Sequence, residues 1–175
     1  MRKIIILIFS FSIISITEAD IKTPEDRLRE NKIELIDPWE PVGHYVNIVR
    51  DQNILYLSGK GPEKADGGIV TGKVGVDLSV SEAKKSAKMS AIVLLSVLKK
   101  ELGELSRVKK VIKLNGMVNS SASFERHPEV IDGASELLVL AFGESVGKHA
   151  RVAMGAGSLP FNIPVEIDLV VRIGD

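Results

Sequence analysis

The sequence predicts one α+β domain, a two-layer sandwich in which an antiparallel or mixed sheet carries two long helices on one face. One observation is an amphipathic helix that begins with a capping signal at Ser79. The other is the alternation of apolar and polar residues from Val165 to Ile173, which is typical of a half-buried strand. The remaining runs complete the order ββαβαββ, and this order with antiparallel pairings places the helices on one sheet face.

The N-terminal part predicts a short helix and then an irregular segment. Thr23 suits an N-cap, Pro24 the first helical position, and two acidic residues follow, so the helix should run to about Asn31. Pro38 and Pro41 interrupt regular structure after it.

A hairpin and the first long helix come next. Tyr45 to Val49 and Ile54 to Leu57 have strand composition and flank a polar turn. Ser79 and Glu82 then have the spacing of a capping box. The helix should end at Gly103, and these apolar residues share one face: Ala87, Ala91, Leu94, Leu95, Leu98 and Leu102.

The C-terminal half predicts a strand, a second helix and two closing strands. In the strand from Val108 to Val118, we expect Ile112, Leu114 and Val118 to share one face. The helix should run from Pro128 to Phe142 and end at Gly143. We expect residues 150–156 to pair antiparallel with the last strand. Five apolar residues of that last strand should require cover, which a neighbouring subunit could supply: Val165, Ile167, Leu169, Val171 and Ile173.

Residues 1–19 have the layout of a secretory signal, with a basic start, an apolar run from Ile4 to Ile16 and a small residue at Ala19. The run is shorter than the roughly 20 residues that span a bilayer, although an uncleaved signal anchor is the alternative. We therefore expect an exported chain, periplasmic or secreted, without a stable membrane anchor after cleavage. Residues 20–40 would form an extension with the short helix, and residues 41–175 the domain.

Composition excludes several kinds of site. The 175 residues contain no cysteine, which excludes disulfides, thiolate catalysis and Cys-ligated metals. The three histidines, His44, His127 and His149, lack metal-ligand spacing. The 23 basic and 23 acidic residues are interspersed, which argues against a nucleic-acid partner because such binding uses clustered cations.

Three segments resemble the Rid family, also called YjgF or endoribonuclease L-PSP. They are Gly43–Tyr45 followed by Ser58–Pro62, the helix start Val130–Ser135, and Arg151 with Leu159 and Pro160 eight and nine residues on and Glu166 fifteen residues on. The resemblance covers about Pro41 to Ile173. It implies a chorismate-mutase-like fold, a homotrimer, no metal and no cofactor.

The resemblance also implies roles for individual residues in a cleft between subunits. Arg151 would bind the carboxylate of a small 2-imino acid, a task that suits a planar, permanently charged guanidinium. Glu166 would orient or activate the attacking water, Tyr45 would close the pocket, and Ser58 would add a polar wall. Lys60 is either a second cation for an anionic ligand or an ordinary solvated lysine.

Each of these residues also has an ordinary structural interpretation. An arginine at a strand start is often paired with a neighbouring acid, and a lone tyrosine often only packs. One departure from the family concerns Asp132, which stands where relatives have asparagine and would weaken anion binding if it faced the cleft.

Three functions are therefore open. The first is hydrolysis of small imine or enamine carboxylates by a Rid-type deaminase. The second is a non-catalytic trimer that binds small carboxylates, and the third is the endoribonuclease activity of the family name.

Overall fold

Residues 22–174, which the computed structural model describes, form three α-helices and five β-strands. The predicted signal segment, residues 1–19, lies outside the described residues. In chain order the elements are α1 (Pro24–Glu30), β1 (Ile48–Asp51), β2 (Ile54–Lys60), α2 (Val80–Leu102), β3 (Val108–Asn119), α3 (His127–Gly147), β4 (Ala150–Ala156) and β5 (Val165–Ile173).

The strands form one mixed sheet in the order β1-β2-β5-β3-β4. Only the β3–β4 pair of this sheet, within residues 22–174, is parallel, and the other neighbours are antiparallel. Helices α2 and α3 pack against each other and on the sheet, with Leu94, Leu98, Ile131 and Leu138 fully buried. The predicted α+β class, with two long helices on one sheet face, is confirmed.

The predicted partner of residues 150–156 was wrong. β4 pairs parallel with β3, with Arg151 opposite Leu114, and it does not pair with β5. A parallel pair needs a long crossover, which α3 supplies between β3 and β4. The segment after β4 then carries the chain to the other side of β3, where β5 inserts between β3 and β2.

Two details of the strands also differ from expectation. β1 begins at Ile48, so Tyr45 precedes the strand. Ile112 does not share a face with Leu114, because the register with β5 shifts between Val111 and Lys113, as at a β-bulge. Val111 and Leu114 are buried as a result, and Ile112 is exposed.

The apolar stripe of β5 is covered by the chain itself. All five of its residues are buried beneath the helices, so the prediction that they need a neighbouring subunit was wrong. The opposite sheet face carries exposed apolar side chains instead, on β1, β2 and β4: Val49, Tyr56, Val152 and Met154.

The helix ends follow the predicted signals. At α2, Ser79 Oγ accepts from the Glu82 N–H, and the Glu82 carboxylate accepts from the Ser79 N–H, which confirms the capping box. At α3, Gly143 leaves helical geometry with φ +76°, and a further turn follows to Gly147. Between the two helices, a Cβ on Gly133 would collide with the Lys84 carbonyl, so the backbones touch at this position.

The residues before β1, including α1, cross one side of the domain as a strap, residues 22–47. Glu25 accepts hydrogen bonds from Lys99 Nζ and the Leu105 N–H, and the Ile36 N–H donates to Ser96 Oγ. The strap is thereby tied to α2 before it reaches β1. Within residues 22–174, no helix has the length and apolarity needed to cross a membrane.

Candidate functional site

A cavity of about 150 Å³ lies where the strap meets the ends of β2 and β5, and we call it the β2–β5 pocket. The register of β2 against β5 shifts between Leu57 and Lys60, as at a bulge, which marks this end of the pair. Three of the residues predicted from sequence line the pocket together, Tyr45, Lys60 and Glu166. Its other polar or aromatic lining side chains are Trp39, Glu40, Glu63 and Phe161.

Glu166 points from β5 to the open face of the sheet, beside Gly59 of β2. A Cβ on Gly59 would overlap the Glu166 carboxylate, so the glycine makes room for this side chain. Burial raises the pKa of Glu166, and the negative charge of Asp168 raises this pKa further. Within residues 22–174 the Glu166 carboxylate accepts no side-chain hydrogen bond and forms no ion pair, so it is available to a guest.

Ser58 positions the segment that carries Tyr45. Its N–H donates to the Asn47 carbonyl at 3.0 Å, and its hydroxyl donates to the Val46 carbonyl at 2.7 Å. The serine does not line the pocket. Its observed contacts hold the Tyr45 segment beside β2.

Lys60 and Glu63 hold the main chain of Trp39 between them. Lys60 Nζ donates to the Trp39 carbonyl at 3.2 Å, and the Trp39 N–H donates to Glu63 Oε2 at 2.9 Å. Both charged residues are buried. Burial lowers the pKa of Lys60, and the charges of Glu63 and Glu40 oppose that shift. Lys60 is therefore not the solvated lysine of the ordinary interpretation.

Phe161 is held in an unusual backbone conformation at the pocket rim. Its φ of +54° lies in the left-handed region, and its side chain is 70% exposed. A non-glycine residue in this region carries a conformational cost, which recurs at functional sites. Sequence reasoning missed Phe161, as it missed Trp39 and Glu63, because no local pattern marks them as pocket residues.

Arg151 lies elsewhere, at the sheet edge formed by β4. Its Nη1 donates to Asp132 Oδ1 at 2.7 Å and to Ser135 Oγ at 3.1 Å, and its side chain is 25% exposed. Because position 132 is aspartate where relatives have asparagine, a carboxylate contacts the Arg151 guanidinium directly.

His149 supports this arrangement through Ser135. Its Nδ1 lies 2.7 Å from the Gly147 carbonyl, which can only accept, so Nδ1 carries the proton. Burial lowers the pKa of His149, which favours the neutral ring. Nε2, at 3.1 Å, then accepts from the Ser135 hydroxyl, and the Ser135 oxygen accepts from Arg151. The chain of bonds fixes one side of the guanidinium.

Arg151 and Glu166 face opposite sides of the sheet. Arg151 is opposite Leu114, which is opposite the buried Leu169, so Arg151 is on the helix-covered side. Glu166 is opposite Met117 and lies three residues before Leu169, on the open side. One protomer therefore does not bring these two predicted residues together.

The histidines and acids form no metal centre in the described part of the chain, residues 22–174. His127 lies in a separate groove, with Nε2 at 3.1 Å from Ser120 Oγ and its ring edge-on to Phe124. His127 and His149 have different hydrogen-bond partners, and they do not form a catalytic pair with each other.

Comparison with known proteins agrees with the resemblance. A family model described as "YjgF/chorismate_mutase-like, putative endoribonuclease" matches residues 25–172. The curated Protein TCP17 of Trypanosoma cruzi is 42% identical over 135 residues, which are 77% of this chain and 84% of TCP17.

Two solved structures are similar in both sequence and fold. The protein Atu1372 from Agrobacterium tumefaciens is 43% identical with a TM-score of 0.79, over 87% of this chain and 94% of that one. A "putative endoribonuclease" from Shewanella oneidensis is 32% identical with a TM-score of 0.83, over 87% of this chain and all of that one. The chain is therefore a member of the YjgF/chorismate-mutase-like family, a Rid-type protein.

Proposed function

We propose that this protein hydrolyses small 2-imino or enamine carboxylates to 2-oxo acids and ammonia. The observation that carries the proposal is the half-buried Glu166 carboxylate, which faces the β2–β5 pocket beside Tyr45 without a partner of its own within residues 22–174. A carboxylate in this environment is suited to hold a water molecule and to accept a proton from it.

The chemistry requires few groups. Water adds to the carbon of the protonated C=N bond, and Glu166 takes the proton that the water loses. Protonated Glu166 returns this proton to nitrogen, the C–N bond breaks as the C=O bond forms, ammonia leaves, and the hydroxyl proton passes back to Glu166. Because a protonated imine carbon is already electrophilic, orientation and local charge can supply most of the rate gain.

Assembly into a homotrimer is part of the proposal, because Arg151 could meet a guest at Glu166 only across an interface between copies. The exposed apolar side chains of the open sheet face support such an interface: Val49, Tyr56, Val152 and Met154. Light scattering on the purified chain should give three times the monomer mass. A monomer at micromolar concentration would exclude the shared cleft.

The direct test is release of ammonia from a freshly generated 2-imino acid, compared with the uncatalysed rate. We expect a rate well above background and a fall of about 10²-fold or more in Glu166→Gln, which keeps the shape but cannot accept the proton. Rates equal to background with the assembly intact would exclude hydrolysis.

The same assay has an internal check in its pH dependence. Activity needs ionised Glu166, so it should fall as the pH drops through the raised pKa of this group. Asp168→Asn removes the neighbouring negative charge and should move this acidic limb to lower pH. An unmoved limb would mean that another group sets it.

The binding-only alternative, a protein that binds a small carboxylate at Arg151 without turnover, uses the same residues as hydrolysis and is separated from it by experiment. Saturable binding of pyruvate without turnover of any imino acid would identify it.

We also propose export of the chain on the basis of residues 1–19. A mature protein whose measured mass corresponds to a chain that begins at Asp20 would support this proposal.

A further inference from the structure

We infer that the β2–β5 pocket binds its guest through a positively charged nitrogen, an alkylated ammonium or iminium group held among Trp39, Tyr45 and Phe161 and facing Glu166. The inference concerns the pocket of the proposed hydrolase, but binding of such a cation requires no turnover. Its failure and the failure of hydrolysis are therefore separate results.

The aromatic lining is the first argument. Trp39, Tyr45 and Phe161 come from two distant segments, and each is substantially exposed, although large aromatic side chains usually contribute to the core. The positive φ of Phe161 keeps its ring at this rim at a conformational cost. Aromatic faces carry negative electrostatic potential and attract organic cations, and alkylated ammonium groups are the usual guests of aromatic cages.

The charge of the lining is the second argument. Three carboxylates, Glu40, Glu63 and Glu166, line the pocket against one ammonium, that of Lys60. Lys60 is engaged by the Trp39 carbonyl, and Glu40 is paired with Lys100 outside the pocket at 2.8 Å. Glu166 is thus the carboxylate left for a guest, and a nearby cation would favour its charged form.

The pocket is also small. Its volume of about 150 Å³ is below the roughly 300–1,000 Å³ of pockets that enclose drug-sized ligands, so it suits a single compact group. If Arg151 of a second copy reaches this pocket, as the proposed function requires, it arrives with Asp132 already bound and adds little net positive charge. The guest would then place its carboxylate on Arg151 and its cationic nitrogen against Glu166.

The test uses choline and its neutral isostere 3,3-dimethyl-1-butanol with the full chain. The sequence contains one tryptophan, Trp39, so its intrinsic fluorescence reports on the pocket wall directly. We expect choline to change the Trp39 emission saturably and the neutral isostere to need a concentration at least about tenfold higher. Equal affinity for the two compounds, or no saturable change with choline, would overturn the inference.

Two variants with matched controls assign the effect. At a pH well above the Glu166 pKa, this group is ionised both in the original chain and in Asp168→Asn. Glu166→Gln should then weaken choline binding about tenfold, whereas Asp168→Asn, on the same strand face but outside the pocket lining, should leave it within about twofold. Phe161→Leu should weaken choline binding about three- to tenfold and leave the neutral isostere unaffected. An equal loss in Glu166→Gln and Asp168→Asn would reduce the effect to general surface charge and refute the specific site.

Discussion

Replacing Arg151 by alanine should lower kcat/KM for a 2-imino acid by about 10²- to 10³-fold, because under the proposed function the guest would lose the charged group that binds its carboxylate. The observed contacts sharpen this expectation. Asp132 and Ser135 orient Arg151 through Nη1, while Nε and Nη2 have no hydrogen-bond partner within residues 22–174 and face no such competition for a guest. Steady-state kinetics with the assembly verified by light scattering would measure the effect.

A substitution at Asp132 tests whether the Arg151 charge binds the substrate or Arg151 only supports the fold. Asp132→Asn leaves an amide oxygen that can still accept from Arg151, but removes the negative charge that competes with the guest. We therefore expect KM for carboxylate substrates to fall about three- to tenfold. Glu136→Gln is the matched control, because it removes a charge from the same helix at a residue that pairs with Lys84. Wild-type kinetics in Arg151→Ala would show that the arginine binds no substrate.

The second large effect concerns stability. Gly133→Ala should lower the free energy of unfolding by about 3 kcal/mol, at the upper end of typical overpacking costs. The added methyl group would collide with the Lys84 carbonyl, which is backbone of α2 and cannot move aside as a side chain could. The two long helices would have to separate at their contact. Urea unfolding monitored by circular dichroism would give the change.

Gly157→Ala is the control for this variant. A Cβ at Gly157 meets no heavy atom within 4 Å, and the backbone there does not have a positive φ. Its stability should stay within about 0.5 kcal/mol of the original chain. If Gly133→Ala unfolds at the same urea concentration as Gly157→Ala, the two helices do not touch as described.

Local signals in the sequence were sufficient for the elements and the fold class. The Ser79–Glu82 capping box and the alternation in β5 each depend on residues within one short segment, and both appear in the structure as predicted. The family resemblance then identified the fold as chorismate-mutase-like, and the comparisons confirm this fold.

Pairing between distant segments was beyond those signals. The alternation in β4 fits a parallel or an antiparallel neighbour equally well, and only the α3 crossover decides between them. The residues of the pocket could likewise be predicted only in part. Glu166 and Tyr45 lie in segments that match the family motifs, so they were predicted. Trp39 lies in the strap and Phe161 in a left-handed turn, and no sequence periodicity predicts that either would line the pocket.

The strap has a consequence for proteolysis. Since residues 22–47 build the Trp39 and Tyr45 wall and also place Leu28 and Ile33 in the core, an exopeptidase that trimmed past Trp39 would remove this wall of the β2–β5 pocket and open part of the core. The Lys60 and Glu63 side chains would then lose the peptide group that satisfies them and be left as buried, unmatched charges. The strap therefore couples the pocket wall to the stability of the domain, and a chain shortened past Trp39 should lose both together.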